Sequence, residues 1–298
     1  MTPPASGTAT GIAWMAGRWG TPADLCLPLQ DRGLQLADGL FETVLVQAGQ
    51  PLLLEAHLRR WRESAALLAM APPPADAQLE PLIREAIQRA GLKAQGSGAL
   101  RLNWSRGAGS GRGIDLPAQP AAASGHRFWL QLLPTTPAFQ PLTAQVSRQE
   151  RRNGASRLSR CKTFAYGQAI QARHEARSAG AEEALLLGID GQLCCGAVAN
   201  LLVRRQGRWL TPPLSSGCLP GVMRERALNL GLAAEAALPW GCGNGGGGAA
   251  QAQAQAALRA EPWLLLNSLG CRPIRAVDGE PLPHLSDAEA EAFWRQLL

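Results

Sequence analysis

Residues 40–46 alternate apolar and polar positions with the period of a strand, and the turn Ala48-Gly49-Gln50-Pro51 followed by a second apolar run predicts a hairpin. The period then changes. Leu58, Trp61, Ala65 and Leu68 recur at helical spacing across residues 55–70, and Pro72-Pro73-Pro74 stops the pattern. Residues 77–90 predict a second amphipathic helix, and residues 100–104 and 127–133 predict strands on either side of a Gly- and Ala-rich loop. Residues 134–141 have linker composition, which places a domain boundary there: residues 1–136 form an N-terminal α/β domain and residues 137–298 a C-terminal one. The second domain is expected to hold strands at 142–148 and 183–188, a helix at 166–179, a turn at Asp190-Gly191, two strands (199–204 and 208–210) around Gln206-Gly207, and a helix at 222–230. Residues 241–260 are low in complexity and predict a surface loop leading into a short helix, without the Gly-Lys-Ser/Thr of a phosphate-binding P-loop.

Composition narrows the function. With 298 residues, 46% hydrophobic and 17% charged, the chain is too apolar for disorder and long enough to bury a real core. No apolar run approaches a membrane span and the N-terminus lacks a leader pattern, so no membrane association and a cytoplasmic location are expected. The net charge of +6 is scattered and no nucleic-acid motif accompanies it, so nucleic acid is not an expected partner. Cys26, Cys161, Cys194, Cys195, Cys218, Cys242 and Cys271 contain no C-x-x-C pair, and most of them read as buried small hydrophobes. His57, His126, His174 and His284 lack metal-ligand spacing, and no metal is expected.

Among the 29 basic residues, only Lys93 and Lys162 are lysines. A lysine amine is the side chain that forms a Schiff base with a carbonyl, so such chemistry has two candidates. Lys162 stands four positions before Tyr166, the single tyrosine, and one helical turn would put both on one face.

Several segments in order carry a resemblance: Asp31-Arg32-Gly33, Ala37-Asp38-Gly39-Leu40-Phe41-Glu42-Thr43, His57-Leu58-Arg59-Arg60-Trp61, Ser105-Arg106-Gly107 and Lys162-Thr163-Phe164-Ala165-Tyr166. They continue with Gly180 to Leu187, Asn200-Leu201-Leu202-Val203, Thr211-Pro212, Leu219-Pro220-Gly221-Val222-Met223-Arg224 and Asn267-Ser268-Leu269. The set resembles the class IV fold of pyridoxal-phosphate enzymes: branched-chain aminotransferases, D-amino acid aminotransferases and aminodeoxychorismate lyases. The resemblance implies a two-domain α/β fold of the D-amino acid aminotransferase type, with pyridoxal 5′-phosphate in the interdomain cleft, a small-molecule substrate and a homodimer. It also implies that Lys162 is the Schiff-base residue and proton carrier, that Tyr166 tunes the cofactor, and that Arg60, Val222, Met223 and Ser268 hold its phosphate. Gly221 before a helix start, exposing the amides of Val222 and Met223, agrees with an anion site.

One position departs from the family. Its usual glutamate, five residues before the asparagine matched to Asn200, is here Cys195. A thiol is a weaker partner for a pyridine nitrogen than a carboxylate, which favours a lyase, whose product ring becomes aromatic, over ordinary transamination. Residues 194–200 are also similar to a Cys-Cys-Ala-Ala-Asn segment of some lyases with two further residues before the asparagine, so an insertion would displace this count. The lyase substrate carries two carboxylates, for which Arg106, Arg157 and Arg160 are candidate clamps. The leading expectation is 4-amino-4-deoxychorismate lyase, serving folate synthesis. The alternatives are a branched-chain or D-amino acid aminotransferase, and a non-catalytic relative with a binding or regulatory role.

Overall fold

The alternating stretch becomes β3 (Gly39–Gln47), which pairs along its whole length with β5 (Ser97–Ser105), and β5 pairs in turn with β6 (Arg127–Pro134). β1 (Ile12–Met15) and β2 (Arg18–Gly20) extend this antiparallel sheet on one side, and the short β4 (Gln50–Pro51) completes the hairpin on the other, giving the order β2-β1-β6-β5-β3-β4. Val44, Leu100, Leu102, Leu130 and Leu132 form a buried apolar layer, α2 (Leu54–Leu67) packs on β3, and α3 (Asp76–Arg89) packs on β1 and β6. α1 (Arg32–Leu36) is a single turn capped by the Asp31 carboxylate. The computed structural model describes residues 11–92, 96–108, 113–116, 125–240 and 249–298, with the backbone alone for 249–251. Lys93, Cys242 and the glycine run of the 241–260 segment lie outside the described residues.

The second sheet contains β7 (Leu142–Arg152), β8 (Glu183–Gly188), β9 (Leu193–Gly196), β10 (Asn200–Arg205), β11 (Arg208–Thr211), β12 (Ala233–Glu235), β13 (Trp263–Asn267), β14 (Gly270–Val277) and β15 (Glu280–Pro281). Six of them form a ring in the order β10-β13-β14-β7-β8-β9, closed by the pairing of Cys195 with Asn200. Leu142, Val146, Leu185, Leu201, Val203, Trp263, Leu265 and Ile274 make the core of this barrel. α4 (Gly167–Ser178) covers β7 and β8, and Ala172 and Ala176 meet Ala184 and Leu186 in a second small core. α5 (Val222–Asn229) packs against β13, α6 (Ala249–Arg259) near β10, and α7 (Asp287–Arg295) against β14. α6 lies within the 241–260 segment, for which a loop leading into a short helix is expected.

The chain divides into unit 1, residues 1–137 with 162–165, and unit 2, residues 138–161 with 166–298. The junction at 137/138 lies one residue beyond the boundary read from the linker. The segment bearing Lys162 differs from expectation, because it folds with unit 1 rather than with the C-terminal domain. Its backbone explains this: Phe41 N–H donates to Lys162 O at 2.9 Å and Phe164 N–H donates to Gly39 O at 3.0 Å, so residues 162–164 form an added edge along the start of β3. They are therefore extended rather than helical. α4 begins only at Gly167, and Lys162 and Tyr166 do not share a helical face.

Gly39 permits that edge. A Cβ there would stand 2.2 Å from Cε2 of Phe164. Gly39→Ala is expected to lower stability by about 1–3 kcal/mol, as overpacking does. Urea unfolding measures the loss, and hydrogen exchange should show the Phe41 amide losing protection while that of Val44, in the β3–β5 ladder, keeps it.

Candidate functional site

Unit 1 buries a carboxylate beneath its sheet. Glu42 on β3 is 1% exposed, and it accepts from Arg60 Nε at 2.8 Å on Oε1 and from Arg60 Nη2 at 2.5 Å on Oε2. His57, one helical turn before Arg60 on α2, places Nδ1 2.8 Å from the same Oε2. Burial opposes the Glu42 charge, but the Arg60 guanidinium and the His57 hydrogen bond outweigh it and bring the carboxyl pKa down to about 2. Burial holds His57 below its usual 6.5 despite the carboxylate, so the imidazole is neutral and its Nδ1–H is the donor.

Lys162 stands on the other face of β3. Its Nζ lies 4.3 Å from the centroid of the Phe41 ring, and the guanidinium carbon of Arg101, from β5, lies 3.5 Å from the same centroid. Arg101 Nε donates to Asn103 Oδ1 at 2.7 Å, and Phe164 packs against both Phe41 and Trp129. The Lys162 amine and the Arg101 guanidinium thus share one aromatic ring.

The motif pieces around α1 build a scaffold instead. Asp31, fully buried, accepts from Ser105 Oγ at 2.5 Å, from Gly33 N–H at 2.8 Å and from Arg127 Nε at 3.1 Å. Asp38 Oδ2 accepts from Arg32 Nε and Arg106 Nε, each at 2.8 Å. Arg106 also donates from Nη1 to Ala69 O at 2.9 Å and from Nη2 to Leu68 O at 3.0 Å. The structure therefore gives Arg106 the task of fastening the end of α2 to Asp38, in place of the clamp expected from sequence.

Unit 2 gathers the second group through Asn200. Asn200 faces Cys195 across the barrel seam and Leu266 on β13, and its Nδ2 donates to Leu219 O at 2.9 Å, which holds the turn leading into α5. A Cβ on Gly221 would fall 2.0 Å from Asn200 Oδ1, so only glycine lets the α5 start lie against this amide. Val222 and Met223 occupy the first turn of α5, where N–H groups have no intrahelical acceptor. Ser268 lies in the turn between β13 and β14, and Asn267 Nδ2 donates to Val198 O at 3.4 Å, bringing that turn beside the β9–β10 connection.

Gly196 N–H donates to Ala199 O at 2.9 Å, closing a tight connection with Cys195 and Asn200 directly opposed. Cys195, five positions before Asn200, is thus its direct partner across the seam. It is buried, as are Cys161, Cys194, Cys218 and Cys271, whereas Cys26 is exposed. The Cys194 thiol is held far up by its hydrogen bond with Cys195 and by burial, and burial pushes Cys218 up to about 11. Arg157 and Arg160 project from a short 3₁₀ turn and are both exposed, and Tyr166 stands at the N-terminus of α4. Sequence reasoning passed over Glu42, His57 and Arg101 as functional residues, although the interruption of an apolar strand by Glu42 was a visible signal.

Residues 39–277 match a family model described as amino-transferase class IV. The chain is 25% identical over 223 residues to the D-alanine aminotransferase of Bacillus licheniformis, covering 72% of each protein. It is 26% identical over 227 residues to the aminodeoxychorismate lyase of Bacillus subtilis, covering 74% of this chain and 75% of that one. Among solved structures, a hypothetical aminotransferase from Mycobacterium tuberculosis in its PLP-bound form matches with a TM-score of 0.75 at 23% identity, over 96% of this chain and 97% of that one. The Escherichia coli branched-chain amino acid aminotransferase matches with a TM-score of 0.77 at 20% identity, over 97% and 92% respectively.

Acid should destabilise the protein in two stages. His57 is held below 6.5, so as pH falls through that value the unfolded chain takes up a proton that the folded chain refuses, and stability drops. Glu42 is held at about 2 against an ordinary 4.5, so its contribution is complete above 4.5 and is lost as pH falls toward 2. Urea midpoints measured across this range should show both stages, and His57→Gln should remove the first.

Proposed function

The chain belongs to the amino-transferase class IV family, and from that premise we propose that it is a lyase that releases pyruvate from 4-amino-4-deoxychorismate and leaves 4-aminobenzoate. Its cofactor is pyridoxal 5′-phosphate, whose ring, when bound, withdraws electrons from the carbon next to the substrate's amine.

The chain's residues fit that group. Lys162 supplies a primary amine for the aldehyde carbon. In unit 1 Arg60 carries a guanidinium suited to a phosphate, and in unit 2 the first-turn amides of Val222 and Met223 and the Ser268 hydroxyl are donors of the kind a phosphate takes. Tyr166 brings a phenol suited to the ring oxygen.

The observation that carries the lyase reading is Cys195, seated opposite Asn200 where the family has a carboxylate. A thiol supports a weaker electron sink, and elimination tolerates this because aromatisation of the product drives it. In this reading Lys162 Nζ takes the proton from the substrate carbon bearing the amine and returns it as pyruvate leaves. Arg101, beside Lys162 on the same Phe41 ring, is a candidate for a substrate carboxylate. Arg157 and Arg160 are candidates for the other carboxylate, while Arg106 is committed to Asp38.

Purified protein supplied with pyridoxal phosphate should develop a visible absorbance band that Lys162→Ala lacks, and aminodeoxychorismate should then yield 4-aminobenzoate. A band without that product, together with turnover of an amino acid and 2-oxoglutarate, would establish an aminotransferase instead. Cys195→Glu is expected to keep lyase turnover and to create amino transfer to 2-oxoglutarate; if no amino transfer appears, Cys195 does not set the reaction.

A further inference from the structure

Glu42, His57 and Arg60 form a linked cluster beneath the sheet. A guanidinium is a rigid plane, so gripping one edge fixes the direction of every remaining N–H. Glu42 grips the Nε edge of Arg60 with both oxygens, at 2.8 and 2.5 Å. Glu42 is itself prevented from turning, because Oε2 also accepts from His57 Nδ1–H at 2.8 Å. His57 and Glu42 are each 1% exposed, so no water substitutes for either partner if one is removed.

The chemistry of His57 suits this task. A neutral imidazole donates to the carboxylate without adding a second positive charge that would compete with Arg60 for it. The ion pair also costs desolvation energy that apolar packing at the same place would avoid, which is a reason to ask what else it does.

We propose that Glu42 is the positioning residue for Arg60 and that His57 is the lock on Glu42, so that the pair sets the preference of the protein for a phosphorylated over an unphosphorylated cofactor. This rests on the reading that Arg60 meets the cofactor phosphate. The dephosphorylated aldehyde, pyridoxal, still reaches Lys162 but has no anion for Arg60, so the ratio of the two affinities isolates the effect.

The experiment titrates apoprotein with pyridoxal 5′-phosphate and with pyridoxal, reading the Lys162-dependent absorbance. Glu42→Gln and His57→Leu are expected to reduce the preference for the phosphorylated form about tenfold to a hundredfold, the span of one or two charge-assisted hydrogen bonds. Pyridoxal affinity should change by no more than about threefold. His57→Gln, whose amide still donates to Glu42, should keep most of the preference. Should Glu42→Gln fail to fold, the two His57 variants decide the matter, since they differ in the donor and leave the ion pair in place. A folded His57→Leu protein with lower thermal stability but an unchanged preference would make the cluster a structural ion pair and overturn the proposal. Absence of a Lys162-dependent band with either compound in the wild type would overturn the cofactor reading first, a different result from an unchanged ratio.

Discussion

Asn200 carries three obligations with one residue. Its backbone closes the barrel against Cys195 and pairs with Leu266, and its side-chain amide holds the Leu219 carbonyl and lies against Gly221. The barrel seam and the helix that starts with Val222 are therefore one mechanical object: the α5 N-terminus cannot move relative to the seam without breaking a buried hydrogen bond. That coupling explains why a glycine precedes α5. The amide of Asn200 occupies the volume where any other side chain would begin.

Unit 1 solves a parallel problem with charge instead of an amide. Glu42 sits in the most buried strand of its sheet and survives there because its oxygens are answered by Arg60 and His57. Asp31, fully buried, and Asp38, half-buried, follow the same rule, each set among donors contributed by distant segments. The motif pieces around them are thus of two kinds. Asp31, Asp38, Ser105 and Arg106 hold the scaffold; Lys162, Arg60 and the α5 turn present groups that suit a bound molecule.

The long elements of unit 1 were legible because their periods are unambiguous: β3, β5, β6, α2 and α3 all lie at their expected places. β13 was not, because Trp-Leu-Leu-Leu-Asn is buried on both faces and shows no alternation, and β9 is four residues long. Lys162 could be singled out since lysine is scarce in this chain. Its neighbours could not: the pairing of residues 162–164 with β3 joins positions more than a hundred residues apart, and no local pattern announces it. Arg106 illustrates the opposite error. An arginine in a motif looks like a ligand clamp until the carbonyls of Leu68 and Ala69 are found in front of it.

The added edge on β3 also bears on biogenesis. A ribosome delivers the first 137 residues of unit 1 well before residues 162–165, so the nascent unit emerges with the beginning of β3 uncovered on that side. It is completed only when the chain has entered unit 2, returned for four residues and left again. Lys162 is thus among the last parts of unit 1 to be delivered, and a truncated product ending in the linker would carry the fold's open strand edge but not Lys162.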